Sequence, residues 1–213
     1  MVLKPKLSDY FILNNIPKSE PIGVDINKNI MYACSNGMNI YYRDTNRIEK
    51  NLANVNRKIQ RDKNRYKNNQ QDISNSALFR LNKRKSIYEH ISNIHKDTAY
   101  KGALNIVRLN PEAVIIESLD IKAIMGHSYI ADDLQFHPLG IAQKILEQQC
   151  IKYNIPVIKA PINFQSSNFC SVCGTYKDIK NYNYFVCPNC KARIQRDTNA
   201  AINLKKWYLN NKK

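Results

Sequence analysis

The sequence predicts an α/β fold: a mixed sheet flanked by helices, with a small cysteine-built module inserted before the last helix. Three observations predict it. Short runs rich in β-branched residues recur at 22–26, 30–34, 38–43, 113–117 and 157–160 and read as strands. The stretches between them, at 46–108 and 139–153, space their apolar residues by three and four, as helices do. Four cysteines then fall in two close pairs between 170 and 190.

The elements follow in order. Residues 1–20 show no clear period. IGVDI and IMYAC are extended segments, and MNIYYR follows the turn signal Ser35-Asn36-Gly37, so the three form an antiparallel meander. From Asn46, Ile48, Leu52, Val55 and Ile59 make the stripe of an amphipathic helix. Asn68 to Asn75 predicts a turn. A second helix is expected over about 77–108, with Leu78, Leu81, Tyr88, Ile91, Leu104 and Val107 inward, and Asn110-Pro111 ends it. AVIIE at 113–117 is continuously apolar up to its last residue, as a strand covered on both faces is. A loop at 120–138, a helix at 139–153, a strand at 157–160 and a final helix from Asp197 complete the chain. A meander followed by strand–helix–strand is the order of an RNase H-like sheet. The expected division is a first part at 1–163 that includes the long basic helices of about 46–108, a cysteine module at 164–193, and a closing helix at 194–213.

Charge narrows the function classes. The 213 residues hold 33 Lys+Arg against 17 Asp+Glu, a net +16, which points to a polyanionic partner. The longest aliphatic run, Ala113 to Ile116, is far below the ~20 residues a membrane span needs, and the N-terminus has no signal-peptide core. The expectation is an intracellular protein, cytoplasmic or nucleoid-associated, with no membrane partner. In a reducing compartment cysteines serve metals more often than disulfides. Cys170-x2-Cys173 and Cys187-x2-Cys190 stand thirteen residues apart, and two such pairs close a tetrahedral thiolate shell, so the expected ion is a structural Zn²⁺. Cys34 and Cys150 read as ordinary buried cysteines, and His90, His95, His127 and His137 have no ligand-like spacing.

Three acids suit a second kind of metal. Asp25 lies inside an apolar strand, Glu117 closes another, and Asp197 opens the last helix. An acid in an apolar strand is costly without a metal or partner. Hard cations such as Mg²⁺ or Mn²⁺ take carboxylate oxygens, and a pair of them about 3.5–4 Å apart activates water and stabilises the leaving oxygen of a phosphodiester. Asp197 also has a competing reading as a helix N-cap, followed by Thr198 and Asn199. Arg57, Lys58, Arg61 and Arg65 on one helix, and Arg80, Lys83 and Arg84 on the next, are candidate phosphate contacts. Tyr66, Phe79 and Tyr88 are candidate stacking residues beside them.

GVDIN (23–27), IIESLDI (115–121), SSNFCSVCG (166–174), FVCPNC (185–190) and RDTNAAINL (196–204) together resemble the C-terminal half of TnpB, the RNA-guided nuclease family of insertion sequences. Fanzor proteins and type V CRISPR effectors are its relatives. The resemblance covers roughly residues 20–208. It implies a RuvC-like nuclease domain with an inserted zinc ribbon, three acids at Asp25, Glu117 and Asp197 that hold the catalytic Mg²⁺ or Mn²⁺, a DNA target and an RNA guide. This chain departs at Lys191 and Asn27, where glycine is common. Family members also have a β-barrel wedge and a helical recognition lobe before this region, where about twenty residues stand here.

Two functions are therefore expected. One is a metal-dependent DNA endonuclease module of an RNA-guided, transposon-associated system. The other is a nucleic-acid-binding accessory or remnant protein that relies on a longer TnpB-like chain, or on self-association, for guide and target.

Overall fold

The structure is a computed structural model that describes residues 17–27, 30–69, 74–118, 139–178 and 183–212. The loop expected at 120–138, with His127, Asp132, Asp133 and His137, lies outside the described residues, as do residues 1–16.

Strands β1 (Ile22–Asp25), β2 (Ile30–Cys34) and β3 (Asn39–Tyr41) form the meander. Helices α1 (Asn46–Asn69) and α2 (Asn75–Val107) follow, then β4 (Val114–Glu117), α3 (Leu139–Lys152) and β5 (Val157–Ala160). The sheet order is β3-β2-β1-β4-β5. β1 pairs antiparallel with β2 and parallel with β4, and β4 pairs parallel with β5. A parallel pair needs a crossover, and α3 supplies the one between β4 and β5. This is the mixed sheet flanked by helices that the element order predicts.

Alternation along the two central strands sorts their side chains. Ile22, Val24, Val114 and Ile116 share a core with Ala99, Ala103, Ile106 and Val107 of α2 and with Ala142, Leu146 and Cys150 of α3. Ala113 and Ile115 belong to a second core, with Ala160 and with Leu204, Trp207 and Tyr208 of the last helix, α4 (Arg196–Asn211). Helices thus cover both faces, which is why β4 reads as a continuous apolar run. Asn110 ends the turn after α2 in the left-handed region (φ 47°), a conformation Asn tolerates better than most residues.

Residues 43–97 form a second compact unit of the paired helices. Leu52, Val55 and Ile59 are buried there, as the stripe predicts. On the part of α2 within this unit, Ala77, Ile87, Ile91 and His95 are buried; Leu78, expected inward, is exposed, and so is Phe79. Ile91 and Val107 are buried and Leu81, Tyr88 and Leu104 half-buried, as expected; only at the helix start does Ala77 take the inward position in place of Leu78. α1 runs to Asn69, into the stretch expected to turn. Ser74 opens α2 with its hydroxyl accepting from Ala77 N, and the Tyr66 hydroxyl donates to Ser74 Oγ at 2.6 Å.

Candidate metal centres

Asp25 and Glu117 stand one residue beyond the paired Val24 and Ile116, at the C-terminal ends of adjacent parallel strands. That edge is where open α/β sheets place their ligands. By the two-residue period both acids share the face of Gly23 and Ile115, the face that α4 covers.

Gly23 sets how closely α4 lies. A Cβ there would come 2.0 Å from the Ala201 carbonyl oxygen and 2.8 Å from the Lys205 nitrogen. Only a glycine admits that approach. Asp25 is two residues on from Gly23, and Asp197 is one helical turn before Ala201. The tight crossing therefore carries Asp197 toward Asp25. Both acids are buried. Burial first, then the charges of Asp197 and Glu117, push the Asp25 carboxyl up to about 7, while a hydrogen bond from Asn27 Nδ2 (2.8 Å) opposes the rise. Glu117 is raised as well, by burial, against a hydrogen bond from Ser166 Oγ at 2.9 Å. Asp25 feels the charges of both other acids, and each of the three is held by its own donors.

Asp197 does not cap its helix. The cap is Gln195, whose side chain accepts from Thr198 N at 2.6 Å. Gln195 Nε2 also donates to Asp197 Oδ2 at 2.8 Å, and Arg196 donates twice to Oδ1, from Nε at 2.9 Å and Nη2 at 2.8 Å. The cap falls to the neighbour two positions earlier, and the Asp197 carboxylate is held by Gln195 and Arg196 instead.

Between β5 and α4 lies the cysteine segment: a 3-10 turn at Ser166–Asn168 and a hairpin of β6 (Tyr184–Val186) and β7 (Arg193–Gln195) that runs straight into α4. The ligand sulfurs of Cys170, Cys173, Cys187 and Cys190 all lie within 4.8 Å of one another. Cys170 and Cys190 are 3.7 Å apart, and Cys173 and Cys187 are 3.5 Å apart. Four ligands at a Zn–S distance of about 2.3 Å stand about 3.8 Å apart in a tetrahedron, so these spacings suit zinc and are far too long for disulfides. Each loop is tied by backbone: Gly174 N donates to Cys170 O, and Cys187 N donates to Ala192 O. Gly174 has a φ of 76° and Lys191 a φ of 61°. Lys191 thus holds a left-handed position that favours glycine, and its Nζ donates to Pro188 O at 2.7 Å. Hydrogen bonds with Thr175 lower the Cys173 thiol, whereas Cys190, despite a backbone hydrogen bond from Ala192, is pushed up in part by its neighbours Cys173, Cys187 and Cys170. Buried Phe185 packs with Cys170 and Cys187 as a small core. Among the described residues this is the one group of three or more His, Cys, Asp or Glu so tightly convergent; the three acids are spaced more widely.

Sequence reasoning missed the link between this segment and α4. Asn199 Oδ1 accepts from Ser171 N (2.8 Å), and its Nδ2 donates to Phe169 O (2.7 Å). Asn203 Nδ2 donates to Ser166 O (2.8 Å) and Phe169 O (2.7 Å). Lys206 Nζ donates to Ser171 O. Residues 199, 203 and 206 lie on one helix face by the i, i+4, i+7 rule, and two buried Asn among the alanines of RDTNAAINL were the available signal.

In the paired-helix unit, Arg57, Lys58, Arg61, Arg65 and Lys83 are exposed and Arg84 is half-buried. Arg80 is differently placed: its Nε donates to Asp62 Oδ2 at 2.6 Å in a part-buried ion pair. Among the described residues, no helix is long and apolar enough to cross a membrane.

Residues 140–204 match the family model of the Cas12f1-like TNB domain, a span from α3 through the four cysteines and Asp197 to Leu204. Among solved structures, the chain is similar to the cryo-EM structure of a Cas12f1–sgRNA–target DNA complex, with a TM-score of 0.60 at 20% identity. The similarity covers 89% of this chain and 51% of that one, so the chain spans about half the length of that protein. No curated protein matches. The family match covers the cysteine segment and most of α4, and the structural likeness shows a shared fold.

Proposed function

We propose that the chain is a TnpB-like RuvC endonuclease module that hydrolyses DNA phosphodiester bonds with two divalent cations, within an RNA-guided, transposon-associated system. The observation that supports it best is the buried Asp25, which ends β1 beside Glu117 at the end of β4 and whose carboxyl is pushed up to about 7 by burial and by the charges of Asp197 and Glu117. Like charges gathered in a buried place are costly, and a divalent cation relieves that cost. The donor set is carboxylate, which suits Mg²⁺ or Mn²⁺.

Asp25, at the centre, is the acid that faces both others and would hold both ions. Glu117 and Asp197 complete the two sides, steadied by Ser166 and by Gln195. When bound, the ions supply an activated water and charge neutralisation at the phosphate. Zn²⁺ on Cys170, Cys173, Cys187 and Cys190 is structural in this reading, because four thiolates leave no open position. It orders the segment that Asn199 and Asn203 grip, and so steadies α4 beneath Asp197. Arg57, Lys58, Arg61, Arg65, Lys83 and Arg84 are phosphate contacts; Arg80 serves the helix pair through Asp62. The Cas12f1 complex contains sgRNA and target DNA, which supports nucleic acids as partners here.

The test is cleavage of labelled single-stranded DNA by purified chain, with Mg²⁺ or Mn²⁺ against EDTA, and with Asp25→Ala in parallel. Metal-dependent cutting that the variant loses by a factor of about 10³ or more is the expected result. Cutting that is equal in the variant contradicts the assignment. DNA binding without cutting under either metal favours the accessory function.

A further inference from the structure

Asp197 differs from its two partners in how its oxygens are used. Asn27 donates to one oxygen of Asp25, and Ser166 to one oxygen of Glu117. Both oxygens of Asp197 are taken: Oδ2 by Gln195, and Oδ1 by Nε and Nη2 of Arg196. Oδ1 already accepts two hydrogen bonds, so a cation that takes it must displace Arg196, whereas Oδ2 accepts only the one from Gln195.

The two are not equally free to leave. Gln195 is held at its other end, because its Oε1 accepts from Thr198 N as the cap of α4. Arg196 is a quarter exposed, and both of its side-chain hydrogen bonds end on the same carboxylate oxygen. Its positive charge also reaches Asp25 and opposes the rise of that carboxyl. The guanidinium therefore sits where a cation is wanted and does part of a cation's work.

We propose that Arg196 is a displaceable counter-ion, which holds Asp197 until a divalent cation takes the carboxylate, so that metal loading and release of the guanidinium are one event. The inference rests on the reading of the three acids as a cation centre. Its consequence is that Arg196 weakens metal affinity. Once released, the guanidinium stands at the rim of the centre, where its fork suits a phosphate oxygen. Arg196 is in this sense a positioning residue with two partners.

The experiment titrates Mn²⁺ alone into zinc-loaded full chain and reads free Mn²⁺ by electron paramagnetic resonance. Arg196→Gln is expected to bind Mn²⁺ about five- to tenfold more tightly than the native chain, the worth of a charge-assisted hydrogen-bonded pair. Lys205→Gln removes a cation from the same helix that is paired with Glu20 instead, and should leave the affinity unchanged. Equal or weaker binding by Arg196→Gln overturns the inference, as does an equal gain in Lys205→Gln. Asp25→Ala separates the two levels: if it binds Mn²⁺ as the native chain does, the cation centre itself is wrong. A measurement on the native chain covers an Arg196 variant that fails to fold. The Arg196 Nε–H signal in ¹⁵N NMR should be protected from exchange without metal and lose that protection on adding Mg²⁺. Unchanged protection with Mg²⁺ bound also overturns the inference.

Discussion

Asp25 is where the chain's electrostatics concentrate. Its carboxyl stands at about 7 in the folded chain against 3.8 for a free Asp side chain, raised by burial and by two other acids. The folded state therefore keeps a proton that the unfolded state has lost. The stability that proton confers is fully present below about pH 4 and is lost as the pH rises through 7. Without divalent metal, thermal unfolding should move to lower temperature as the pH rises from about 4 through 7, and Asp25→Asn should flatten that slope and raise stability above pH 7. An unchanged slope in the variant would place the effect elsewhere. Asp25 and Glu117 stood out in the sequence because a carboxylate in an apolar run breaks the local pattern; Asp197, at a helix start, did not. Nor did the donors to the three acids. Ser166 reaches Glu117 across 49 positions, and no local pattern announces such a bond. Gln195 was hidden for another reason: Asp is the commoner cap, so a cap at 195 could be found only from the observed helix start.

At the scale of elements, the site depends on how α4 lies on β1. Gly23→Ala would push a methyl carbon into the Ala201 carbonyl, an overlap that no side-chain rotation relieves. We expect a loss of about 3 kcal/mol or more in denaturant unfolding, with metal binding weakened at the same time because Asp197 moves with the helix. A fully stable Gly23→Ala would show that the crossing is looser than the structure has it. The cysteine segment is the second support. Removing zinc with a strong chelator should free one ion per chain and abolish amide protection at Ser171 and Cys187, while β1 and β4 stay protected. Loss of protection throughout the sheet would instead make the metal a condition of the whole fold. The cysteine spacing was plain in the sequence, since two Cys-x2-Cys pairs leave few alternatives. Its attachment was not, because Asn199 and Asn203 in a helix look like ordinary polar residues until the backbone of Phe169 and Ser171 lies opposite them.

For the molecule as a whole, the sheet was the most legible feature. The meander and the parallel pair joined by α3 followed from the order of elements, but the placing of β4 beside β1 rather than β3 does not follow from sequence neighbours alone. The start of α2 was less legible, because Ala77 rather than Leu78 turns inward there. The net charge of +16 pointed to a polyanion, and the exposed Arg57, Lys58, Arg61 and Arg65 give it a surface within the paired-helix unit. Replacing those four by Gln should make DNA affinity less dependent on salt, with the slope falling by about 0.7–0.9 for each phosphate no longer neutralised. An unchanged slope would move the phosphate-binding role to other residues. Above all, Asp25 and Glu117 at the sheet edge and Asp197 at the start of α4 should form a divalent-cation centre separate from the cysteines. The most direct test is a crystal of the zinc-bound chain soaked in Mn²⁺, with anomalous scattering measured at the manganese edge. Manganese peaks are expected between Asp25, Glu117 and Asp197, beside a zinc peak among Cys170, Cys173, Cys187 and Cys190. Zinc at the cysteines with no manganese at the three acids would contradict the assignment.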